Sequence, residues 1–425
     1  MSKKRKHKKH KGPQAKSQIP DLKSPTLSLC MIVKDEEEFL PNCLNSVKGI
    51  VDEMIVVDTG SSDRTVEIAE EFGARVLSHP FSGDFSEARN VSISEASSDW
   101  ILVLDADEEI DQEDAPKIRK LIQKEKADGI YFTIQNMNKN KRLSSIHYLL
   151  RLFRNGKGIL YERRIHELVA IKGKTVFSSL RINHFGYYLD RDRMITKYRR
   201  DLDILEGEIQ RDPDDLITKF YLARTYFNLD RCDDAMIYAE SMTKTMDNDG
   251  RYTALHLSAL RLLVDIYMKK GELDEASTVC QQALEIHPDH MDILFVLAQI
   301  LTKRGEYGLA VLTYQRYLSS REKIIKDPSQ GFLFRTLYSF GKEAKVYNEL
   351  GGIFFKMKNF QGAIAEVKKA IECDPACVSS YLNLGAACAS TGRLQEAVQA
   401  FQMALEIDPQ CIKAEEGLKR LEHCH

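Results

Sequence analysis

Trp100-Ile101-Leu102-Val103-Leu104-Asp105-Ala106-Asp107 runs five apolar residues straight into two carboxylates one residue apart. An unbroken apolar run of that length predicts a strand buried on both faces, as in parallel sheets covered by helices. Ligands of such sheets sit at the carboxyl ends of the strands, where Asp105 and Asp107 fall. A divalent cation carrying two phosphates wants hard oxygen ligands in that arrangement. The same pattern also suits a strand that ends in a solvated acidic turn, prolonged by Glu108 and Glu109.

Upstream, Leu27-Ser28-Leu29-Cys30-Met31-Ile32-Val33 is a second buried-strand pattern, followed at once by Lys34-Asp35-Glu36-Glu37. Met54-Ile55-Val56-Val57 is a third and ends in Asp58-Thr59-Gly60-Ser61. Helical spacing marks Leu40, Leu44 and Val47, then 64–72 and 88–96, with a short strand at Arg75-Val76-Leu77 between the last two. The alternation predicts an α/β domain with an open, mostly parallel sheet. Three polar strand ends on one edge make a nucleotide pocket, in which Asp58 is placed to accept hydrogen bonds from a base or ribose. Neither GxGxxG nor GxxxxGK[ST] occurs, which disfavours a dinucleotide fold and excludes a P-loop.

The blocks LSLCMIVKDEEEFLPNCLNSV, IVVDTGSSDRT, DFSEARN and WILVLDADEE, in that order, resemble the family-two glycosyltransferases. The resemblance covers about residues 26–190. It implies the GT-A nucleotide-diphospho-sugar transferase fold with a mostly parallel central sheet, and sugar transfer with inversion from a nucleotide sugar, UDP-glucose or UDP-N-acetylglucosamine. It places Val33, Glu36, Asp58, Arg89, Asp105 and Ala106 on the nucleotide-sugar side. Asp107 becomes the metal-binding acid of the DxD motif, with Mn2+ or Mg2+ as cofactor. His184 is the candidate further metal ligand, ahead of His166. Besides Asp105 as sugar-side acid, an inverting transfer needs a base for the acceptor's proton. Glu167 is placed first, before Glu108 or Asp84, the other reading being that Glu167 pairs with a nearby arginine. RLFRN, IHE and HFGY, within the acceptor-side residues 129–190, resemble a subgroup with C-terminal helical repeats that includes bacteriocin S-glycosyltransferases. The ED and QxxRW pair of processive synthases is missing, which implies addition of one or a few sugars.

Residues 191–213 read as a connecting helix, with Met194, Tyr198, Leu202 and Leu205 on one face. Beyond it Gly351 and Gly385, Ala363 and Ala397, Ala370 and Ala404, and Pro375 and Pro409 all recur at 34 residues, the tetratricopeptide period. Carried backward, the frame gives an all-α solenoid of about five repeats over 214–425. The first spacing is stretched near 247–252, a break lies at 319–342, and a capping helix spans 412–421. The small residues mark close helix–helix approach, not chemistry. Such an array recruits a peptide or protein acceptor, or else buttresses the catalytic domain or forms a homodimer.

Eight of the 61 basic residues fall in residues 1–16, leaving 53 against 63 acids in the rest, so residues 1–25 form a disordered basic arm on an acidic body. An anionic membrane surface is the candidate contact of that arm, and no nucleic-acid partner is expected. The nine cysteines form no CxxC, and Cys280, Cys373 and Cys388 fall in helical patterns as small core residues. No apolar run approaches the ~20 residues of a membrane span, and a reducing, cytoplasmic setting is expected. The competing functions are a transferase of cell-surface polysaccharide or lipid-linked glycan assembly, and a non-catalytic scaffold with an inert nucleotide domain.

Overall fold

The computed structural model describes residues 24–186, 191–244, 253–334 and 336–422. Residues 1–23 of the basic arm, Tyr187, and all of the stretched spacing near 247–252 lie outside them. The first part alternates β1 (Leu27–Val33), α1 (Leu40–Val47), β2 (Glu53–Asp58), α2 (Thr65–Glu71), β3 (Arg75–Ser78), α3 (Phe85–Ser94) and β4 (Trp100–Val103). These strands lie in the order β3-β2-β1-β4, every neighbour parallel. Trp100 and Leu102 enter one core with Leu29, Leu44 and Ile118. Ile101 and Val103 enter the opposite one with Cys30, Ile55 and Phe153. The strand is therefore buried on both faces, as its composition requires.

The sheet continues through β5 (Glu108–Ile110), β6 (Gly129–Met137), β7 (Leu143–Arg154) and β10 (Thr175–His184), in the order β4-β7-β6-β10-β5. Helix α4 (Ala115–Lys124) links β5 to β6, and β8 (Leu160–Glu162) with β9 (Leu168–Ala170) forms a separate hairpin. In this half β10 is parallel to β6, while β7 is antiparallel to both β4 and β6. The sheet as a whole is mixed, and the parallel expectation holds for its first four strands. The reason is local: a tight turn, with Lys141 at φ +55°, joins β6 to β7, and so short a link only joins antiparallel strands.

Helix α5 (Arg191–Arg211) leads into five helix pairs among the described residues. They are α6 (Leu216–Asn228) with α7 (Cys232–Thr243), α8 (Thr253–Lys270) with α9 (Leu273–Ile286), and α10 (Met291–Arg304) with α11 (Tyr307–Lys326). Then come α12 (Glu343–Lys356) with α13 (Phe360–Cys373), and α14 (Val378–Ser390) with α15 (Leu394–Ile407), before the terminal α16 (Ile412–Glu422). Ala363, Ala370, Ala397 and Ala404 are all buried at the helix contacts. Cys280 and Cys388 are buried likewise, but Cys373 is exposed, because it ends α13 one turn beyond the last buried residue, Ala370. No helix among the described residues is long and apolar enough to cross a membrane.

The break after the third pair attaches the array to the sheet. Residues Pro328–Phe334 form a short 3-10 helix whose Phe332 ring lies 5.0 Å from Tyr131 and 4.8 Å from Phe177, on β6 and β10. The next residues, β11 (Thr336–Leu337), pair antiparallel with His147 and Ile146 of β7. The following turn is anchored on fully buried Asp292 of α10, which accepts from the backbone N–H groups of Tyr338 and Ser339, both at 2.8 Å. Arg163 donates to Asp215, the N-cap of α6, at 2.5 Å and to Thr218 Oγ1 at 2.8 Å, tying the start of that helix to the segment between β8 and β9.

Two glycines give a paired test of the packing. A Cβ on Gly385 would stand 2.7 Å from the Phe401 ring, whereas one on Gly207 in α5 would meet nothing within 4 Å. Gly385→Val is expected to destabilise by about 1–3 kcal/mol. Gly207→Ala is expected to raise stability by roughly 0.5–1 kcal/mol through helix propensity. Thermal melts of the two variants beside the parent check both signs.

Candidate active site

The parallel strands β2, β1 and β4 end on one edge. In the β1–β2 ladder Val33 is level with Asp58, and the β1–β4 ladder runs from Leu27 with Trp100 to Cys30 with Val103. The same offset carried three residues further brings Ala106 level with Val33. The side chains of Val33 and Ala106 are buried in the core, so any contact they make with a ligand on that edge is through their backbone. Asp58 is buried as well, and its carboxylate accepts from Ser61 N–H at 3.0 Å and Gly60 N–H at 3.2 Å. Gly60 holds φ +110°, which favours glycine, and its turn folds back on the carboxylate. Each carboxylate oxygen has a second lone pair, so Asp58 retains acceptor capacity.

Glu36 follows β1 in the turn whose backbone N–H bonds to Thr65 Oγ1 at 2.7 Å. Burial raises its carboxyl to about 8, and the fields of Asp107 and Asp105 push the same way against Lys197 of α5.

Asp105 is gripped from two sides. Its Oδ1 accepts from Arg89 Nη2 and its Oδ2 from Arg151 Nη2, each at 2.6 Å. Burial alone would raise the Asp105 pKa, but Arg151 and Arg89 outweigh it and hold the carboxyl well below the usual range. Arg151 also bonds Glu108 at 2.5 Å, and Glu108 accepts from Asp105 N–H at 3.0 Å, closing the turn after β4. Arg89 Nε donates to Glu167 Oε1 at 2.5 Å, and its guanidinium lies 5.4 Å from the Tyr161 ring centroid. Arg89 Nη1 is buried with no hydrogen-bond partner, an unmet donor beside Asp105.

The candidate bases come out differently from one another. Glu167 is the partner of an arginine through Oε1, with Oε2 left over. Glu108 is 1% exposed and spent on Arg151 and the turn, and Asp84 caps α3 by accepting from Glu87 N–H at 3.0 Å. Both therefore have structural duties, which corrects their place as alternative bases. His166 is corrected as a metal candidate: at φ +52° its ring stacks on Tyr221 of α6 with centroids 3.5 Å apart.

Asp107 and His184 do meet. His184 Nε2 stands 3.4 Å from Asp107 Oδ2, and Phe185 N–H donates to the Asp107 carbonyl at 2.9 Å. Behind the imidazole, His184 Nδ1 bonds Asn136 Oδ1 at 2.7 Å, and Asn136 Nδ2 reaches Ser145 Oγ at 2.8 Å and His147 Nδ1 at 3.2 Å. Burial pushes His147 down to about 3, so it stays neutral and accepts from the amide. The carbonyl of Asn136 then faces His184 Nδ1, which turns Nε2 toward Asp107. Burial would lower the His184 pKa, but Asp107 outweighs it and raises it.

Gly186 packs directly against this pair. A Cβ at that position would lie 2.1 Å from Asp107 Oδ2 and 2.8 Å from His184 Nε2. Any side chain there would collide with both, so glycine is what lets Asp107 Oδ2 and His184 Nε2 stand together, a carboxylate oxygen and an imidazole nitrogen that make a donor pair suited to a divalent cation. Among the described residues no three His, Cys, Asp or Glu side chains form such a site. The remaining ligands of a cation there have to be water or phosphate oxygens. Arg151, Asn136 and His147 were not singled out from the sequence. A charged Arg151 inside the apolar run Leu149–Phe153 is the signal that was available, since a buried charge needs a partner.

Residues 28–181 match the family described as glycosyl transferase family 2, and 257–300, 344–377 and 378–411 match tetratricopeptide repeat families. A TPR repeat-containing protein of Synechococcus elongatus is 34% identical over 383 residues, covering 81% of this chain and 92% of its own length. The SPbeta prophage-derived glycosyltransferase SunS of Bacillus subtilis is 26% identical, covering 65% of this chain and 67% of its own length. Among solved structures, YrrB, a TPR protein, covers 51% of this chain and 97% of its own at 16% identity and a TM-score of 0.40. The chain belongs to the family-two glycosyltransferases that carry C-terminal tetratricopeptide repeats.

Proposed function

We propose that this glycosyltransferase moves a hexose from a UDP-sugar, UDP-glucose or UDP-N-acetylglucosamine, to a side chain of a peptide or protein, with inversion and with a divalent cation. The observation that carries the reading is the meeting of Asp107 Oδ2 with His184 Nε2, 3.4 Å apart. The pair lies next to the clamped Asp105, on the edge where β1, β2 and β4 end. Joined to that edge is an array of a peptide-binding class.

Asp107 and His184 would hold Mn2+ or Mg2+, and the oxygen–nitrogen pair suits Mn2+ better than Mg2+. When bound, the cation supplies charge neutralisation for the departing diphosphate. The chain's own residues do the rest. Asp58 and the backbone at Val33 and Ala106 receive the nucleoside, with Glu36 beside them. Arg89 and Arg151 fix Asp105 toward the ribose and sugar. The acceptor's nucleophile attacks the anomeric carbon, the bond to the diphosphate oxygen breaks with its electron pair, and the proton passes to Glu167. Inversion follows from a single displacement.

Incubation with a panel of UDP-sugars and Mn2+, read as UDP release and as intact mass of candidate acceptor proteins, tests the reading. Asp107→Ala is expected to lose about 100-fold or more in rate. No transfer or donor hydrolysis with any sugar, or an Asp107→Ala variant equal to the parent, would overturn it. Asn136→Leu removes the acceptor that orients His184, and Mn2+ affinity is expected to fall about 10- to 100-fold. Electron paramagnetic resonance titration of free Mn2+ reads that shift without turnover.

A further inference from the structure

The residues from Arg163 to Glu167 run between β8 and β9, and two of them hold a backbone conformation that side chains disfavour. Arg163 lies at φ +84° and His166 at φ +52°. Neither is a glycine, so contacts from outside the segment have to impose both turns.

Those contacts come from two sides. Helix α3 takes hold of the backbone: Ser86 Oγ donates to the Arg163 carbonyl at 2.5 Å, and Phe85 N–H to the Arg164 carbonyl at 2.8 Å. One turn along the same helix, Arg89 donates to Glu167 at 2.5 Å. The array holds the other side chains. Arg163 Nη2 reaches Asp215 and Thr218 at the start of α6, and Ile165 is buried in the core that contains Leu205 and Leu222. The His166 ring stacks on Tyr221 with 10° between the planes. Asp215, Thr218 and Tyr221 follow one another at intervals of three and so share a face of the helix. The two residues with left-handed backbone are thus two whose side chains α6 holds, and the second immediately precedes Glu167.

That coincidence gives the first repeat a duty in the reaction. The bonds from α3 reach the Arg163 and Arg164 carbonyls and the Glu167 carboxylate. The turn at His166, which aims the next side chain, is held by the ring of Tyr221. We infer that α6 is a positioning element of the transferase, with Tyr221 and Asp215 the positioning residues that keep Glu167 on Arg89 and beside the reacting atoms. The inference rests on Glu167 as the base proposed above, and it makes the first tetratricopeptide repeat part of the enzyme whatever acceptor the array recruits.

Two measurements on full-length variants test it, and the first needs no turnover. Arg163-Arg164 is a pair of trypsin sites inside the segment, and cleavage there follows the population of locally opened chain. Tyr221→Leu keeps apolar bulk but loses the flat ring, and is expected to speed cleavage at that pair about ten-fold, read from fragment masses. Tyr221→Phe keeps the ring and is expected to match the parent. Asp215→Asn retains an N-cap acceptor but loses the charge opposite Arg163, and is expected to move cleavage the same way as Tyr221→Leu. The second measurement is UDP release from UDP-glucose or UDP-N-acetylglucosamine with Mn2+, water taking the acceptor's place and giving its proton to Glu167. Tyr221→Leu is expected to lower kcat about 10- to 100-fold while the donor KM stays within about two-fold of the parent, and Tyr221→Phe to restore kcat. Where Tyr221→Leu lowers the melting temperature, Asp215→Asn decides. Unchanged cleavage in both variants, faster cleavage with kcat retained, or a donor KM that rises as kcat falls overturns the inference. The reading it rests on fails separately: no UDP release by the parent, or Glu167→Gln equal to it, defeats the catalytic assignment, while the cleavage rates still report whether α6 holds the segment.

Discussion

Two guanidinium groups closing on one carboxylate at the tip of β4 hold the catalytic half of this protein in register. Arg89 comes from α3 on one side and Arg151 from β7 on the other, and both end on Asp105. Through them the turn after β4 is tied to a helix of the parallel half and a strand of the antiparallel half. Glu108 and Glu167 extend the network by one residue in each direction. Such a buried ionic network is a costly way to gain stability, because desolvation consumes most of the attraction. Its return is position. The turn carrying Asp107 cannot drift relative to α3 and β7 without breaking several charge-assisted bonds at once.

Much of this was legible in the residues. The apolar run Trp100–Leu104 could only be satisfied by cover on both faces, and it has it. The 34-residue period of small residues was readable as paired helices, because close approach of two helices favours Gly and Ala, and Gly351 and Gly385 lie at such contacts. The meeting of Asp107 with His184, 77 positions apart, was readable only through the resemblance, since nothing local links them. Three things stayed hidden. A strand's direction depends on the length of the link before it, and the turn at Asn138–Lys141 that reverses the chain was not singled out. Arg151 lay inside an apolar pattern and was read for its hydrophobicity. Glu167 stands next to several arginines, and only the fold decides which of them it meets.

The array is not an appendage hung on a linker. Its first repeat is bonded through Asp215 to Arg163, its third through Asp292 to the turn after β11, and the fourth begins beyond a segment that has become part of the sheet. A cavity between the first three repeats is walled in part by that segment. The array and the strand that carries His147 are therefore in direct contact through the two residues of β11.

The same two residues settle a hazard that the sheet would otherwise carry. Strand β7 is longer than β4, so beyond their shared residues Leu152–Arg154 it has a stretch of backbone with no strand of the parallel half beside it. An uncovered edge of that kind is a template on which another chain can add itself, and aggregation begins there. Pairing of β11 at Ile146 and His147 places the chain's own segment on that edge. The insertion between repeats thus acts as an edge guard, and shortening it would threaten solubility before it threatened folding.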